Sequence, residues 1–499
     1  MKSRVLIALT IIGLSAVFVG YLPAHLDRAQ VARWLHQWQH DGMSVHIDLM
    51  AVSERWKALQ AQNLDRQQLD SKVASPRPGS LGNDSLAHAR LRAETLNYRD
   101  IIVDSTAALL RAVKFAQPGD RIVVAPGRYA FSGRSIELTR SGTALNPISL
   151  VAQQPWQSTF EFDLLEGFWV SGSDWHFEGL TLLGVCAKDD RCEHAFHIVG
   201  GAQRTELRHN RIHDFNAPIK INGSKGIYPD DGRISHNVIV NNRPRETKNP
   251  VVGIDGVAVS RWQVSNNLIA NFKKAKGNRT SSGGFFKGAG AENRFDNNLV
   301  VCSDKVLMDY VQIGLSLGNG GSSASACRNR RCAVEQSGSH IMGNIIANCS
   351  DVGVYLNRAE DSTLINNTLY ATLGIDVRFE GSSALVVNNL ISGRIRERDG
   401  GEILVDQQNW MLPAQAMGRD SFEDVFHHPQ GLNFSVRRDY LRRFAGVRND
   451  EFKEDACGYR NAALSGTETS DDLAARAQFE GFIGALNPLS ESDCFFSAR

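Results

Sequence analysis

The sequence predicts an all-β solenoid: a right-handed parallel β-helix with an N-terminal capping helix, preceded by a transmembrane helix and a helical stalk. Three observations predict it. A short asparagine-led strand recurs along the middle of the chain, no helix of ordinary length fits between recurrences, and a long uncharged run follows two N-terminal cations.

The repeat carries the fold assignment. Asn210, Asn237, Asn267, Asn298, Asn344, Asn367 and Asn389 each precede two or three mostly apolar residues, as in SHNVIV, SNNLIA and DNNLVV, at spacings of 27, 30, 31, 46, 23 and 22 residues. A bare coil of about 22 residues with loops inserted on one side fits this series, and units of about 20–50 residues that cannot close a core alone form solenoids. Between the asparagines a second β-branched or aromatic strand appears (GVAVS, GGFFKG, QIGLSLG, VGVYLN, GIDVRF), bounded by turn residues. Asparagine tolerates left-handed backbone and bonds the backbone at turns, so stacked coils turn the repeat into an amide ladder. These asparagines are therefore read as structural.

The β-helix is expected over 101–400. Around Thr106–Phe115 the chain reads as an amphipathic helix, and PGD and PGRY then turn into strands. A helix there shields the open strand edges of the first coil. Upstream, Lys2 and Arg4 precede an uncharged run from Val5 to Leu22, 18 residues long. A cleaved signal has an apolar core of about 7–15 residues, whereas a spanning helix needs about 17–25. Residues 1–28 are thus expected as an uncleaved anchor in preference to a signal peptide, with the bulk of the chain exported. That places it on a bacterial inner membrane with its bulk in the periplasm, or outside the cell. Trp34, Trp38, Leu49, Val52, Trp56 and Leu59 recur at helical spacings, so 29–74 is expected as a stalk and 75–100 as a linker. The repeat fades near Gly400. Residues 401–499 are expected as an extension, helical around Ser421–Val425 and Asp471–Phe482, that packs on the coils or caps them.

The even count of eight cysteines suits a disulfide-permissive compartment, and none of their spacings completes a zinc site. Cys302 and Cys349 follow their repeat asparagines by four and five residues, so neighbouring coils would stack them. Cys186 with Cys192, and Cys327 with Cys332, are spaced to close excursion loops. A net charge of +1 argues against nucleic acid as a partner; a local basic groove for an anionic polymer stays open.

LLRAVKFAQPGDRIVVAPGRYAFSG followed by NPISLVAQ, and the later GGFFKGAGAENRFDNNLVVC, resemble the polysaccharide lyase group of chondroitinase B and many alginate lyases. The resemblance spans roughly Ile101 to Leu390. It implies a β-helix acting on an acidic polysaccharide, and it puts Lys287 in the place of the catalytic base. The group's arginine, expected about one coil on, has no counterpart in SDKVLMDYVQIGLSLGNGG, where Lys305 is the only cation. The acidic residues that calcium-using members carry before the lysine strand are replaced by NRTSSGG. No cofactor is therefore expected; calcium stays open without evident acidic ligands.

Removing the C5 proton of a uronate needs a base, a group that neutralises the adjacent carboxylate, and an acid for the leaving oxygen or the opposite face. In a β-helix these meet by stacking at about 4.8 Å per coil. Lys287 is the candidate base. Arg358, Arg378, Asp255, Lys220 and Tyr355 are candidate substrate-binding residues on the strands before the ladder, Lys287 and Arg378 each lying eleven residues before a ladder asparagine. His197 and His194 are candidate acids. The insertion SLGNGGSSASACRNRRCAVE, which makes the 46-residue repeat, carries Arg328, Arg330 and Arg331 between two cysteines, as a disulfide-clipped basic finger would. No metal site is assigned and oligomeric state is open. Two readings compete: a lyase or epimerase of an acidic polysaccharide at the cell envelope, and a non-catalytic glycan-binding, polysaccharide-assembly or surface-adhesion protein.

Overall fold

A computed structural model describes residues 46–58, 61, 98–306, 309–414, 420–437 and 440. The expected anchor, most of the stalk, nearly all of the linker and the helix at Asp471–Phe482 lie outside these residues, as do Cys457 and Cys494. Among the described residues no helix is long and apolar enough to cross a membrane.

The chain winds into a parallel β-helix of three sheets. Each coil passes through sheet A, then B, then C. Sheet A has twelve strands, from Arg99–Val103 to Glu402–Gln407; sheet B has eleven, from Gly127–Ser132 to Trp410–Met411; sheet C has ten, from Ile136–Leu138 to Arg394–Arg398. Inward side chains stack like on like. In sheet A one column runs Ile122, Leu150, Phe177, Leu207, Ile234, Val264, Phe295, Ile341, Leu364 and Val386, and every member is fully buried. Strand-period alternation puts these residues in the core and their neighbours outside.

The capping helix is Thr106–Lys114. Ser105 Oγ accepts the Ala108 N–H as its N-cap, and Leu109 and Val113 are its buried face. The asparagine ladder stands at the corner between sheets A and B. From Asn237 on, each Asn Oδ1 accepts both the backbone N–H and the Nδ2–H of the asparagine one coil earlier, for example Asn298 from Asn267 and Asn344 from Asn298. Each Nδ2 also reaches back to a carbonyl of the preceding coil. The left-handed conformation, expected of the ladder residues, belongs instead to the residues before them: His209, His236, Asn266, Asn297, Gly343, Asn366 and Asn388. The ladder residue is freed to project inward because its predecessor makes the turn.

Three further expectations are corrected or extended. The coils do not stop near Gly400. Asn409 is an eighth rung, accepting from Asn389, and strands continue to Met411. Beyond them the helix Phe422–Val425, with Ser421 as its N-cap, and the hairpin Phe426–His428 with Asn433–Val436 bring Phe422 and Phe434 onto Tyr370 of sheet B. Within the expected stalk, residues 49–58 are helical, but they pack on the body: Val52 and Trp56 are buried, and Ile47 N–H donates to Asp304 O at 2.6 Å. All six described cysteines are paired, Cys186–Cys192, Cys302–Cys349 and Cys327–Cys332.

Candidate functional site

Sheet C carries most of the candidate residues. Register places two outward columns side by side. One holds Trp169, His197, Lys220, Asp255, Phe285, Ser316, Tyr355, Asp376 and Arg396. The other, two residues further along each strand, holds Asn222, Val257 and Lys287. Because Phe286, Leu317, Leu356 and Val377 are in register, this second column continues to Asn357, Arg378 and Arg398. Lys287 and Arg378 therefore share a column, three coils or about 14 Å apart at the spacing of stacked strands.

Lys287 ends the strand Thr280–Lys287. Gly288 turns the chain at once, with φ +82°, and an added Cβ would sit 2.9 Å from Ala258 N, so glycine is required there. The Gly288 N–H donates to Glu335 Oε2 at 2.8 Å, and Ser322 Oγ donates to the same oxygen at 2.9 Å. Buried Glu335 thus pins both the lysine turn and the insertion loop. Between that loop and sheet C lies a cleft of about 440 Å³, lined by Lys220, Asn222, Tyr228, Lys287, Ser322 and Ser325 among others. Lys220 Nζ is held by Asp255 Oδ1 at 2.8 Å. Lys287 Nζ lies over the Phe285 ring, 4.8 Å from its centroid, and among the described residues it has no hydrogen bond or ion pair. Burial pushes the Lys287 ammonium below the ordinary lysine value of 10.5; Asp255 opposes the shift and Lys220 adds to it. A lysine without a carboxylate partner, partly desolvated beside a second cation, gives up its proton more readily than an ordinary one.

The remaining candidates separate into groups. Asp255 is the counter-ion of Lys220 and is nearly buried. His197, one coil before Lys220, is bonded at both ring nitrogens: Nδ1 faces Glu166 Oε1 and Nε2 faces Asn222 Oδ1, each at 2.8 Å. His194 Nδ1 is 2.7 Å from Ala217 O, and burial pushes its pKa down to about 4. At that value its imidazolium form is scarce at pH 7, and its Nδ1 hydrogen is committed to Ala217 O, which argues against a role as an acid.

Arg328 is held within the protein. Nη2 bonds Asp230 Oδ2 at 2.6 Å, Nη1 bonds Ser260 Oγ at 2.7 Å, and the guanidinium lies 4.2 Å from the Tyr228 ring centroid. It clamps the insertion onto the coils. Arg330 and Arg331 are exposed. Arg331 joins Arg358, Phe379, Glu380 and Asp399 around a second depression of about 480 Å³. There Arg378 pairs with Asp399, its guanidinium 4.5 Å from the Phe379 ring centroid, and Arg358 lies 5.9 Å from the same centroid. Tyr355 OH accepts from Asn357 Nδ2 at 3.1 Å. Sequence reasoning missed Glu335, Asn222, Tyr228 and Asp230; none falls in a motif, and each acts on partners far along the chain. Glu166 was findable, because EGFWV aligns with HAFHIV one coil later.

Arg328→Ala is expected to destabilise the protein by about 2 kcal/mol, since Asp230 is left buried without its closest cation. Hydrogen exchange over residues 319–334 should rise. Unchanged exchange together with weakened polymer binding would restore the finger reading.

With this geometry in place, comparison with known proteins supplies the class. The family model for the Pel9A-like right-handed β-helix region matches residues 93–371. The chain belongs to that Pel9A-like family of β-helix proteins, which bears out the resemblance to polysaccharide lyases. Among solved structures, pectate lyase Pel9A superposes with a TM-score of 0.50 at 13% identity, over 73% of this chain and 95% of that one. A rhamnogalacturonan lyase matches with a TM-score of 0.47 at 14% identity, over 74% and 93%. An alginate lyase from Paenibacillus sp. matches with a TM-score of 0.36 at 16% identity, over 63% and 96%. At these identities the likeness is one of fold. No curated protein matches the sequence.

Proposed function

We propose that this protein removes the C5 proton of a uronate in an acidic polysaccharide, with Lys287 as the base in the sheet C cleft. The observation that carries the reading is the Lys287 amine: it lines an open cleft, lacks a carboxylate partner among the described residues, and has its pKa lowered by burial. Lys220, held by Asp255 in the same cleft, is the cation placed to offset the uronate carboxylate and acidify C5. The neutral Lys287 amine takes the proton. In β-elimination the C4–O4 bond then breaks, its electron pair leaves with O4, and water protonates that oxygen. In epimerisation a proton returns to C5 from the other face. The depression around Phe379, Arg358 and Arg331 extends the track for a chain of several sugars, where guanidinium groups suit carboxylates.

The setting is proposed to be the cell envelope, with the chain held at the bacterial inner membrane by residues 1–28 and its bulk in the periplasm. The Lys2/Arg4-flanked apolar run and the three disulfides support that setting.

Proton abstraction is read directly by incubating pectin, alginate and glycosaminoglycans with the protein in D2O and following the H5 resonances. Loss of H5 signal, with or without chain cleavage, is the expected result; it distinguishes epimerisation from elimination by whether a double bond forms. Intact H5 on every polymer, alongside measurable binding, would favour a glycan-binding protein.

A further inference from the structure

Beside this cleft, Glu166, His194 and His197 each present one donor atom, all within 4.8 Å of one another. None of them has a part in the proton abstraction. The nitrogens that face away from the cluster are both committed. His194 Nδ1 meets a backbone carbonyl, Ala217 O, at 2.7 Å, so that nitrogen carries the hydrogen and Nε2 keeps its lone pair. His197 Nε2 meets Asn222 Oδ1 at 2.8 Å. The orientation of that amide is fixed by Asn222 Nδ2 donating to Gly223 O at 3.0 Å, so His197 Nε2 also carries the hydrogen. The remaining nitrogen, His197 Nδ1, then directs its lone pair at a carboxylate oxygen of Glu166, 2.8 Å away. Two electron-rich atoms at that distance need a cation between them, a proton or a metal ion.

Histidines whose outer nitrogens donate to oxygen acceptors, with the inner nitrogens turned toward one carboxylate, are arranged as metal ligands are. We propose that Glu166, His194 and His197 form a site for one divalent transition-metal ion of the zinc type. The donors are His194 Nε2, His197 Nδ1 and a Glu166 carboxylate oxygen. Two imidazoles and one carboxylate suit zinc and its d-block neighbours better than calcium or magnesium, which prefer all-oxygen shells. Donors of a tetrahedral ion lie about 3.3 Å apart when metal–ligand bonds are about 2.0–2.1 Å, so side-chain rotations bring the three atoms into place. The local coils favour this. Glu166 and His194 are register partners on adjacent strands, and His197 follows on the same strand as His194. Lys220, the register partner of His197 one coil on, is engaged by Asp255. All three side chains are only partly buried, and a water molecule would complete the shell. The site stands apart from Lys287 and is independent of the proposed reaction.

The test uses the full-length protein. After chelation, the protein is incubated with Zn2+ or Co2+, freed of excess ion, and its metal content measured. The expected result is one Zn2+ per chain and, for Co2+, visible absorption of a low-coordinate site. His194→Ala and Glu166→Gln should each weaken binding by about 10-fold or more. Glu166→Gln is nearly isosteric and guards against a folding defect in the other variant, and Zn2+ should raise the unfolding temperature of the parent but not of either variant. A parent that retains no Zn2+, that retains Ca2+ in its place, or that binds Zn2+ as tightly as both variants would overturn the proposal.

Discussion

Replacing Lys287 with alanine lowers turnover on the polymer by about 10²–10⁴-fold, the range for losing a positioned general base, and leaves the fold intact. The side chain bonds no neighbour among the described residues beyond its contact with Phe285, so stability has little to lose. Lys287→Arg is expected to be as inactive as the alanine variant: a guanidinium keeps the charge but does not give up its proton below about pH 12. That comparison separates a base from a mere cation. The pH profile supplies a second check. Only the neutral amine accepts a proton, so the rate rises with pH through the Lys287 pKa. Burial holds that pKa below the ordinary value of 10.5, which places the midpoint of the ascending limb below 10.5. A limb centred at or above that value, or an active arginine variant, would rule Lys287 out as the base.

Asn298→Ala is expected to destabilise the coils by about 3 kcal/mol or more. Its Oδ1 accepts two hydrogens from Asn267, and its Nδ2 donates to Val264 O and Asn344 Oδ1. Alanine leaves the Asn267 N–H and the Val264 carbonyl buried without these partners, at about 1–3 kcal/mol each. Asn409→Ala provides the contrast. That rung is last in the ladder and only part-buried, and one of its Nδ2 bonds goes to exposed Asp406, so water replaces much of what is lost. Denaturant unfolding of the two variants should show a clearly larger loss for position 298. Equal losses would mean that the ladder contributes little beyond the turn itself.

The ladder was legible because it is periodic. Asparagines separated by one coil recur in the sequence at one coil's length, and the two cysteines trailing Asn298 and Asn344 could be matched for the same reason. The last rung escaped because Gln408-Asn409 is followed by Trp410-Met411, without the β-branched run that marks the others. Column membership was legible as well: counting eleven residues back from Asn298 and Asn389 puts Lys287 and Arg378 in one column, as register has it. What counting could not supply was pairing across the stack. Asp255 reads as a turn former or an acid until Lys220, 35 residues earlier, closes on it. The run Arg328–Arg331 reads as free positive charge because the partner of its first arginine, Asp230, lies 98 residues away. Single-residue chemistry follows the local motif; electrostatic satisfaction depends on which coils become neighbours.

The most direct test of the central claim is absorbance near 235 nm, which reports the unsaturated uronate left by β-elimination. The protein is incubated with pectin, alginate, chondroitin and heparin in turn, beside Lys287→Ala. The account predicts a rise on at least one polymer that is lost in the variant, or, for an epimerase, no rise but H5 exchange that is lost in the variant. A signal of either kind that survives in Lys287→Ala would contradict it, as would the absence of both signals on every acidic polymer.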